Sequence, residues 1–457
     1  MSALAELLAD RGIRATGSDT DEAFYTQDIL KRLDIPYSES FSPELITPDI
    51  DLVVHSAAYS TETHPQLLKA RELGLPIVTY PECLGELSKE SDASGVSGVH
   101  GKSTTTAIIG TLLEKLSLRA SVLTGTAVPS FGGRSTVTVG TEFFIAETCE
   151  WRRHFLKFRP DRIVITNVEL DHTDYFASYD DILNAFIAYA ERLPTDGELI
   201  YCADDPGAVE VADILRREKP RVQCFPYGTA ATGAFRILFM DQEEGGIRFR
   251  TAGGDRDLVL RVPGFHNVLN ATAAIALVSR LVWKKFGSDL EWQAIADGIE
   301  EFRGSKRRSE IIGERDGILF IDDYGHHPSA ITATLEGYRA FYPGRRIILD
   351  FMSHTYSRTE ALFSRFVDSF NAADVVLLHK IYASARERAG TVDGRDLFEA
   401  VSRRRGNVYY FDEILDALPY CRSILRNGDV FITMGAGDNW KLGKALAEDL
   451  KIGEAER

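Results

Sequence analysis

Apolar and polar positions along the chain follow two rhythms. Up to Lys69, short apolar runs are interleaved with helically spaced ones: residues 51–54 predict a strand, and residues 65–73 a helix that stops before Gly74. That is βαβ material. Residues 89–98 turn small and polar (KESDASGVSG), which predicts a flexible linker and a first domain boundary. A Gly-rich turn then opens a helix whose apolar positions (Ile108, Ile109, Leu112, Leu113, Leu116) recur at helical spacing. Strands follow at residues 143–146, 163–166 and 199–202, separated by helix-length segments. They predict a mostly parallel sheet covered on both faces. Between Phe235 and Val262 the strands shorten around Gly245-Gly246 and Gly253-Gly254, the pattern of antiparallel hairpins, before a helix from Val268 to near Trp283. Residues 302–308 form a connector. Beyond it, strands at 318–321, 347–349, 375–378, 408–411 and 430–433 alternate with helices, as in an open α/β sheet with its ligand crevice at the strands' carboxyl ends.

Composition narrows the class. A chain of 457 residues is long enough for about three domains. These are expected at residues 1–88, 89–303 and 304–457. With 52 Lys and Arg against 68 Asp and Glu, the net charge of −16 gives no support to nucleic-acid or anionic-membrane partners, although basic clusters can still line a cleft. No apolar stretch is expected to reach the ~18 residues of a membrane span, and Glu6 and Asp10 near the start are unlike a secretory signal, so a cytoplasmic address follows by default. The five cysteines are odd in number and scattered, so neither a disulfide framework nor a zinc site is predicted.

The strongest chemical signal is Gly98-Val99-His100-Gly101-Lys102-Ser103-Thr104 running into a helix. Backbone N–H groups of such a turn cradle phosphates, the Lys reaches the terminal phosphates, and the Ser hydroxyl can ligate magnesium. The Gly expected five positions before Gly101 is Val96, so the match is to a shorter form of the loop. Glu147 and Glu150 follow one apolar strand and His172 follows the next, positions that adjacent parallel strands bring to one rim. A carboxylate and an imidazole there can hold a magnesium ion, although magnesium prefers oxygen ligands. His266, Asn267 and Asn270 open a helix. They read first as a cap, and the two amides, three apart, could also face a purine edge. Arg307 and Arg308 lie in the connector, and Asp322-Asp323-Tyr324-Gly325-His326-His327 is too polar for a core. His354 and Arg358 follow the next strand, the guanidinium being suited to phosphate.

Nine motifs in order (GVHGKSTTT, ETCE, TNVELDHTDYF, ADDP, PGFHNVLNA, FRGSKRR, DDYGHHP, SHTYSRT, MGAGD) resemble those of the Mur ligases, in their alanine-adding branch, over almost the whole chain. The resemblance implies three domains: an N-terminal Rossmann-like domain for a UDP-sugar, a central phosphate-loop ATPase with added antiparallel strands, and a C-terminal Rossmann-like domain that closes over the site. It implies ATP and Mg2+ as cofactors, and a reaction in which ATP phosphorylates the carboxylate of UDP-N-acetylmuramate before L-alanine attacks the acyl phosphate. Carried over by motif, Gly98, Gly101, Lys102, Ser103 and Thr104 hold phosphates. Ser103, Glu147 and His172 hold magnesium; His266, Asn267, Asn270 and Arg307 or Arg308 face the nucleotide. Ser56, Tyr324, His326, His354 and Arg358 bind substrate, with Lys102, Glu147, His172, Arg308 and His326 catalytic. Three departures stand out. No Lys lies between His172 and Glu191, which excludes a carbamylated-lysine variant. The strand into the phosphate loop is polar where the family's is apolar. The chain begins where the family is already past its first strand and Gly-rich loop, so the first domain is expected to lack that strand. A murein-tripeptide recycling ligase and a nucleotide-binding homologue without ligase activity remain alternatives.

Overall fold

The computed structural model describes residues 1–20, 25–243, 245–383 and 390–449. Its α/β class and order of sheets are those expected from the sequence. By contact the chain forms two compact units. One comprises Met1–Val168, Leu183–Arg236 and Ala271–Gly298; the other comprises Glu169–Ile182, Ile237–Asn270 and the chain from Ile299 onward.

The first unit opens with a helix, Ser2–Asp10, followed by two short parallel pairs: β1 (Gly17–Ser18) with β2 (Tyr37–Ser38), and β3 (Val53–His55) with β4 (Ile77–Thr79). The helix Pro65–Glu72 lies between β3 and β4, where its sequence spacing places it. Then come β5 (Asp92–Ser97), β6 (Ala120–Val128), β7 (Arg134–Thr138), β8 (Phe143–Glu147), β9 (Arg162–Ile165), β10 (Glu198–Cys202) and β11 (Gln223–Tyr227). They form one sheet in the order β11-β10-β9-β5-β8-β6-β7, parallel except for the β6–β7 pair.

Two expectations are corrected here. The segment read as a flexible linker contains β5, which pairs with β8 on one side and β9 on the other and is buried from Ala93 to Ser97. Its small residues have a physical reason: a Cβ on Gly95 would collide with the Tyr189 hydroxyl and touch Thr148. Tyr189 is fully buried, stacks on Phe155 at 4.4 Å and donates to Thr148 Oγ1 at 3.3 Å. The tyrosine therefore fills the volume that apolar side chains would otherwise occupy on this strand, and the usual hydrophobic signal is absent. Second, the helix Phe265–Phe286 does reach the length and apolar composition of a membrane span, yet 72% of its most apolar stretch is buried within the protein, as in a core helix.

The helix Ser2–Asp10 packs on β6 and β7. Glu6, fully buried, accepts from Ser135 N and Thr136 Oγ1 at 3.2 Å each and pairs with Arg134 at 3.3 Å. Burial holds its carboxyl above the ordinary range despite these donors. Arg134 also pairs with Asp10 at 2.5 Å.

The second unit has an antiparallel meander of β12 (Ile237–Glu243), β13 (Gly246–Thr251) and β14 (Leu258–Leu260), as the Gly pairs foretold. Its main sheet contains β15 (Glu310–Arg315), β16 (Ile318–Asp323), β17 (Ile347–Phe351), β18 (Val375–His379), β19 (Val408–Phe411) and β20 (Val430–Met434), in the order β15-β16-β20-β17-β18-β19. Alternation along the strands supplies two cores: Leu319, Ile321, Leu349 and Ile432 pack on one face, and Phe320, Ile348, Leu377 and Phe431 on the other. β15, antiparallel to β16, was not foreseen; as an edge strand it leaves Ile311 58% exposed and lacks a clear apolar alternation.

Gly95→Ala is expected to destabilise the protein by about 1–3 kcal/mol through overpacking against Tyr189. Urea midpoints test this, and a Tyr189→Phe change in the same background should recover part of the loss, because the hydroxyl is the atom in the way.

Candidate functional site

The phosphate loop leaves the carboxyl end of β5. Gly98 (φ +135°) has no room for a Cβ beside Thr166 Oγ1, and Gly101 (φ +82°) precedes the helix Lys102–Lys115. Both conformations favour glycine. The residues after β9 brace the loop: Asn167 Oδ1 accepts from His100 N at 2.9 Å, Asn167 O accepts from Val99 N at 3.3 Å, and Asn167 Nδ2 donates to His100 O at 3.1 Å. Ser103 and Thr104 occupy the first helical turn, where unpaired N–H groups and the helix dipole favour an anion.

Lys102 Nζ donates to both oxygens of Glu150, at 3.1 and 3.0 Å, to Val99 O at 3.2 Å, and to Gly98 O. Burial opposes the ammonium, but Glu150, 1% exposed, more than compensates and holds the lysine above its ordinary value. The loop thus carries a fixed positive charge. Glu147, expected as a magnesium ligand, accepts from Gly125 N at 2.9 Å, and Glu150 is the carboxylate at the loop lysine. The Cys149 thiol between them is pushed up to about 12 by burial and by Glu150, which makes it a poor nucleophile.

The second unit gathers its candidates at the carboxyl ends of β16, β17, β18 and β20. Arg358, 5% exposed, donates through Nε to Asp171 Oδ1 at 2.7 Å and through Nη1 to His354 O at 3.2 Å. Asp171 is buried, which alone would raise its carboxyl; Arg358, His172 and His326 reverse this and hold it well below the usual range. His172 follows with φ +50°, its N–H bonded to Asp171 Oδ1 at 2.7 Å. His326 lies 2.9 Å through Nδ1 from Tyr324 O, an acceptor only, so Nδ1 carries the proton and Nε2 the lone pair. Burial and Arg358 hold this imidazole well below its ordinary value, hence neutral. Rings continue the row: Tyr324 to His326 at 5.2 Å, His326 to His354 at 6.2 Å, and His354 stacked on Tyr382 at 5.8 Å.

Arg307 is spent within the unit, bonding Asp322 Oδ2 and Gly435 O at 2.9 Å each and Gly437 O at 3.1 Å. Both connector arginines lie over the Tyr324 ring, Arg307 at 5.2 Å and Arg308 at 4.9 Å. Asn267 Nδ2 donates to Pro263 O at 2.7 Å, and Asn270 Nδ2 to Asn267 Oδ1 at 3.0 Å, so both amides serve the helix start. His266 packs over Gly264. Ser56, just past β3, accepts from Ala58 N at 3.2 Å. Asn167, Asp171 and Tyr382 were not singled out from the sequence, and Glu150 was named beside Glu147 without a role of its own. For Asn167 and Asp171 the signal lay within the quoted motifs; Tyr382 carried none.

Three family models match: "Mur ligase family, catalytic domain" over residues 1–91, "Mur ligase middle domain" over 96–278, and "Mur ligase, glutamate ligase domain" over 307–437. The chain is 48% identical over 449 residues to a UDP-N-acetylmuramate–L-alanine ligase of Treponema pallidum, covering 98% of this chain and 93% of the relative. It is 37% identical to the Borreliella burgdorferi protein of the same description, covering 96% and 94%. Among solved structures, the UDP-N-acetylmuramate-alanine ligase of Thermotoga maritima superposes with a TM-score of 0.78 at 24% identity, covering 99% and 97%. A murein peptide ligase of Psychrobacter arcticus superposes at 0.68 and 20% identity, covering 98% and 96%.

Breaking the buried Asp171–Arg358 pair by Asp171→Asn should cost about 3–5 kcal/mol near neutrality. Because the folded carboxyl is held low, this stability is present above about pH 4 and is lost as pH falls through the lowered value. Melting curves of parent and variant should therefore converge in acid; a constant gap would contradict the assignment.

Proposed function

Since the chain belongs to the Mur ligase family, we propose that it is an ATP-dependent ligase that joins L-alanine to the carboxylate of UDP-N-acetylmuramate through an acyl phosphate, in peptidoglycan precursor synthesis. The observation that carries this reading is the charged Lys102 held across a glycine loop at a helix N-terminus, in a chain 48% identical to a ligase of that description. A carboxylate attacking an anionic phosphoryl group needs charge neutralised on both partners, and fixed cations at preorganised positions supply that neutralisation. Gly98, Gly101, Ser103 and Thr104 would receive the ATP phosphates, and Lys102 would exchange Glu150 for phosphate oxygens. A divalent cation suits the donors at this loop: Ser103 Oγ and the Glu150 carboxylate are oxygen ligands of the kind Mg2+ takes, with Glu147 as a further candidate in the same unit. When bound, it would supply Lewis-acid polarisation of the phosphoryl group.

Arg308, over Tyr324, is the connector arginine available to a nucleotide. Asn267, Asn270 and His266 would shape the nucleotide side as a braced helix start. Ser56 would belong to the UDP-sugar side. Tyr324, His326, His354 and Arg358 would receive the amino acid, the neutral His326 offering its Nε2 lone pair as a hydrogen-bond acceptor to the amino group. Domain boundaries near residues 88 and 303 and a cytoplasmic address, where both nucleotide substrates occur, complete the proposal. The murein-peptide reading is favoured less, because the curated relatives of higher identity are described as alanine ligases.

Phosphate release is expected to need ATP, UDP-N-acetylmuramate and L-alanine together; hydrolysis indifferent to the last two, or a preference for tripeptide over alanine, would reject the proposal. Lys102→Ala should lower turnover about a hundredfold to a thousandfold. Glu150→Gln should raise the Mg2+ concentration needed for half-maximal rate, and an unchanged requirement would remove Glu150 from the cation site.

A further inference from the structure

The second unit contains a buried polar cluster that neither the motifs nor the proposed chemistry uses. His379 Nε2 lies 2.6 Å from Asp350 Oδ1, with both side chains at 0% exposure. Asn439, also fully buried, shares its Nδ2 among Asp350 Oδ2, Asp350 O and Met434 O, each at 3.0 Å. A buried ion pair is a poor source of stability, since apolar residues of similar volume commonly do as well. Its position offers another role.

Asp350 is on β17, His379 ends β18, and Asn439 follows β20; the three strands are neighbours in the sheet. Within a few residues of each, the chain enters a loop of the candidate site: His354 and Arg358 after β17, Tyr382 after β18, and Gly435 to Asp438 after β20. The first two loops are tied directly, Tyr382 N donating to Ser353 O at 2.8 Å and Thr355 N to Tyr382 O at 3.0 Å. Between His354 and Arg358, Thr355 has φ +69° and ψ 136°, a region that a β-branched residue enters only when its surroundings impose it. A strained loop needs a rigid base, and the cluster joins the ends of the strands that lead into it and its neighbours.

We propose that Asp350, His379 and Asn439 form a positioning network that holds the loops bearing His354, Arg358 and Tyr382 in their amino-acid-binding arrangement, and that it loosens when His379 loses its proton. In its kinetic part the proposal rests on the alanine-ligase reading above. Besides Asp350, the titratable or charged groups facing His379 are Glu413 at the end of β19, itself paired with Lys380, and the Cys421 thiol near Asp350, which burial keeps protonated. Burial opposes the imidazolium, but Asp350 and Glu413 outweigh it and raise the histidine above its ordinary value. With the folded value raised, the constraint is complete below about pH 6.5 and is lost as pH rises through the raised value.

The test uses full-length protein carrying Asp350→Val with His379→Leu, an apolar pair expected to fold, and separately His379→Gln, which keeps an N–H donor to Asp350 but cannot titrate. In the apolar variant KM for L-alanine is expected to rise about tenfold while KM for ATP stays within about twofold. Amide exchange over residues 352–359 and 435–439 should quicken about tenfold, with the core strands unchanged. His379→Gln should restore both near neutrality, and the ratio of parent to His379→Gln KM should climb as pH rises through the raised value of His379. Unchanged exchange in those loops, or equal KM shifts for both substrates, overturns the proposal, as does a flat pH ratio. If the parent forms no amide with alanine, the ligase reading fails, and the exchange measurement with its pH dependence still decides whether the network holds the loops.

Discussion

A phosphate-binding turn works only if its backbone is left uncovered, and this requirement shapes the strand that delivers it. β5 carries Ser94, Gly95 and Ser97 where a central parallel strand would ordinarily carry branched apolar side chains. Tyr189 fills the space over the strand, so the sheet stays packed while the loop stays open. Everything at that rim follows: Gly98 can turn against Thr166, Asn167 can reach back to His100, and Lys102 can cross the loop to Glu150.

The two units solve a common electrostatic problem in different ways. At the loop, a buried cation is matched to a buried carboxylate. In the second unit, Arg358 is matched to Asp171, and burial together with the guanidinium keeps His326 neutral. One arrangement keeps an ammonium charged; the other keeps an imidazole neutral. Both depend on desolvation that would be prohibitive without the partner.

Most of the architecture was legible because strands of 4–5 apolar residues and helices with clear spacing alternate through both main sheets. Failures came where another principle overrode the pattern. β5 was hidden because a distant tyrosine supplies its bulk, and β15 because an edge strand need not alternate. The long helix Phe265–Phe286 was underestimated because its start is a polar cap. ETCE contains two glutamates, and the direction of the chain after β8, which the motif does not carry, turns Glu150 to the lysine and Glu147 to Gly125 N. His379 and Asp350 could not have been paired from sequence, since 29 residues separate them and adjacency depends on strand order.

The first helix has a consequence for dissecting the protein. β7 is the outermost strand of its sheet, and the carboxylate of Glu6 occupies a backbone N–H that the strand would otherwise offer to a neighbour. Cutting the chain to isolate the nucleotide-binding sheet would strip this guard, leaving Arg134 without its acidic partners and a ragged β edge open to other molecules. Soluble fragments of the sheet should therefore be sought only with residues 2–10 attached.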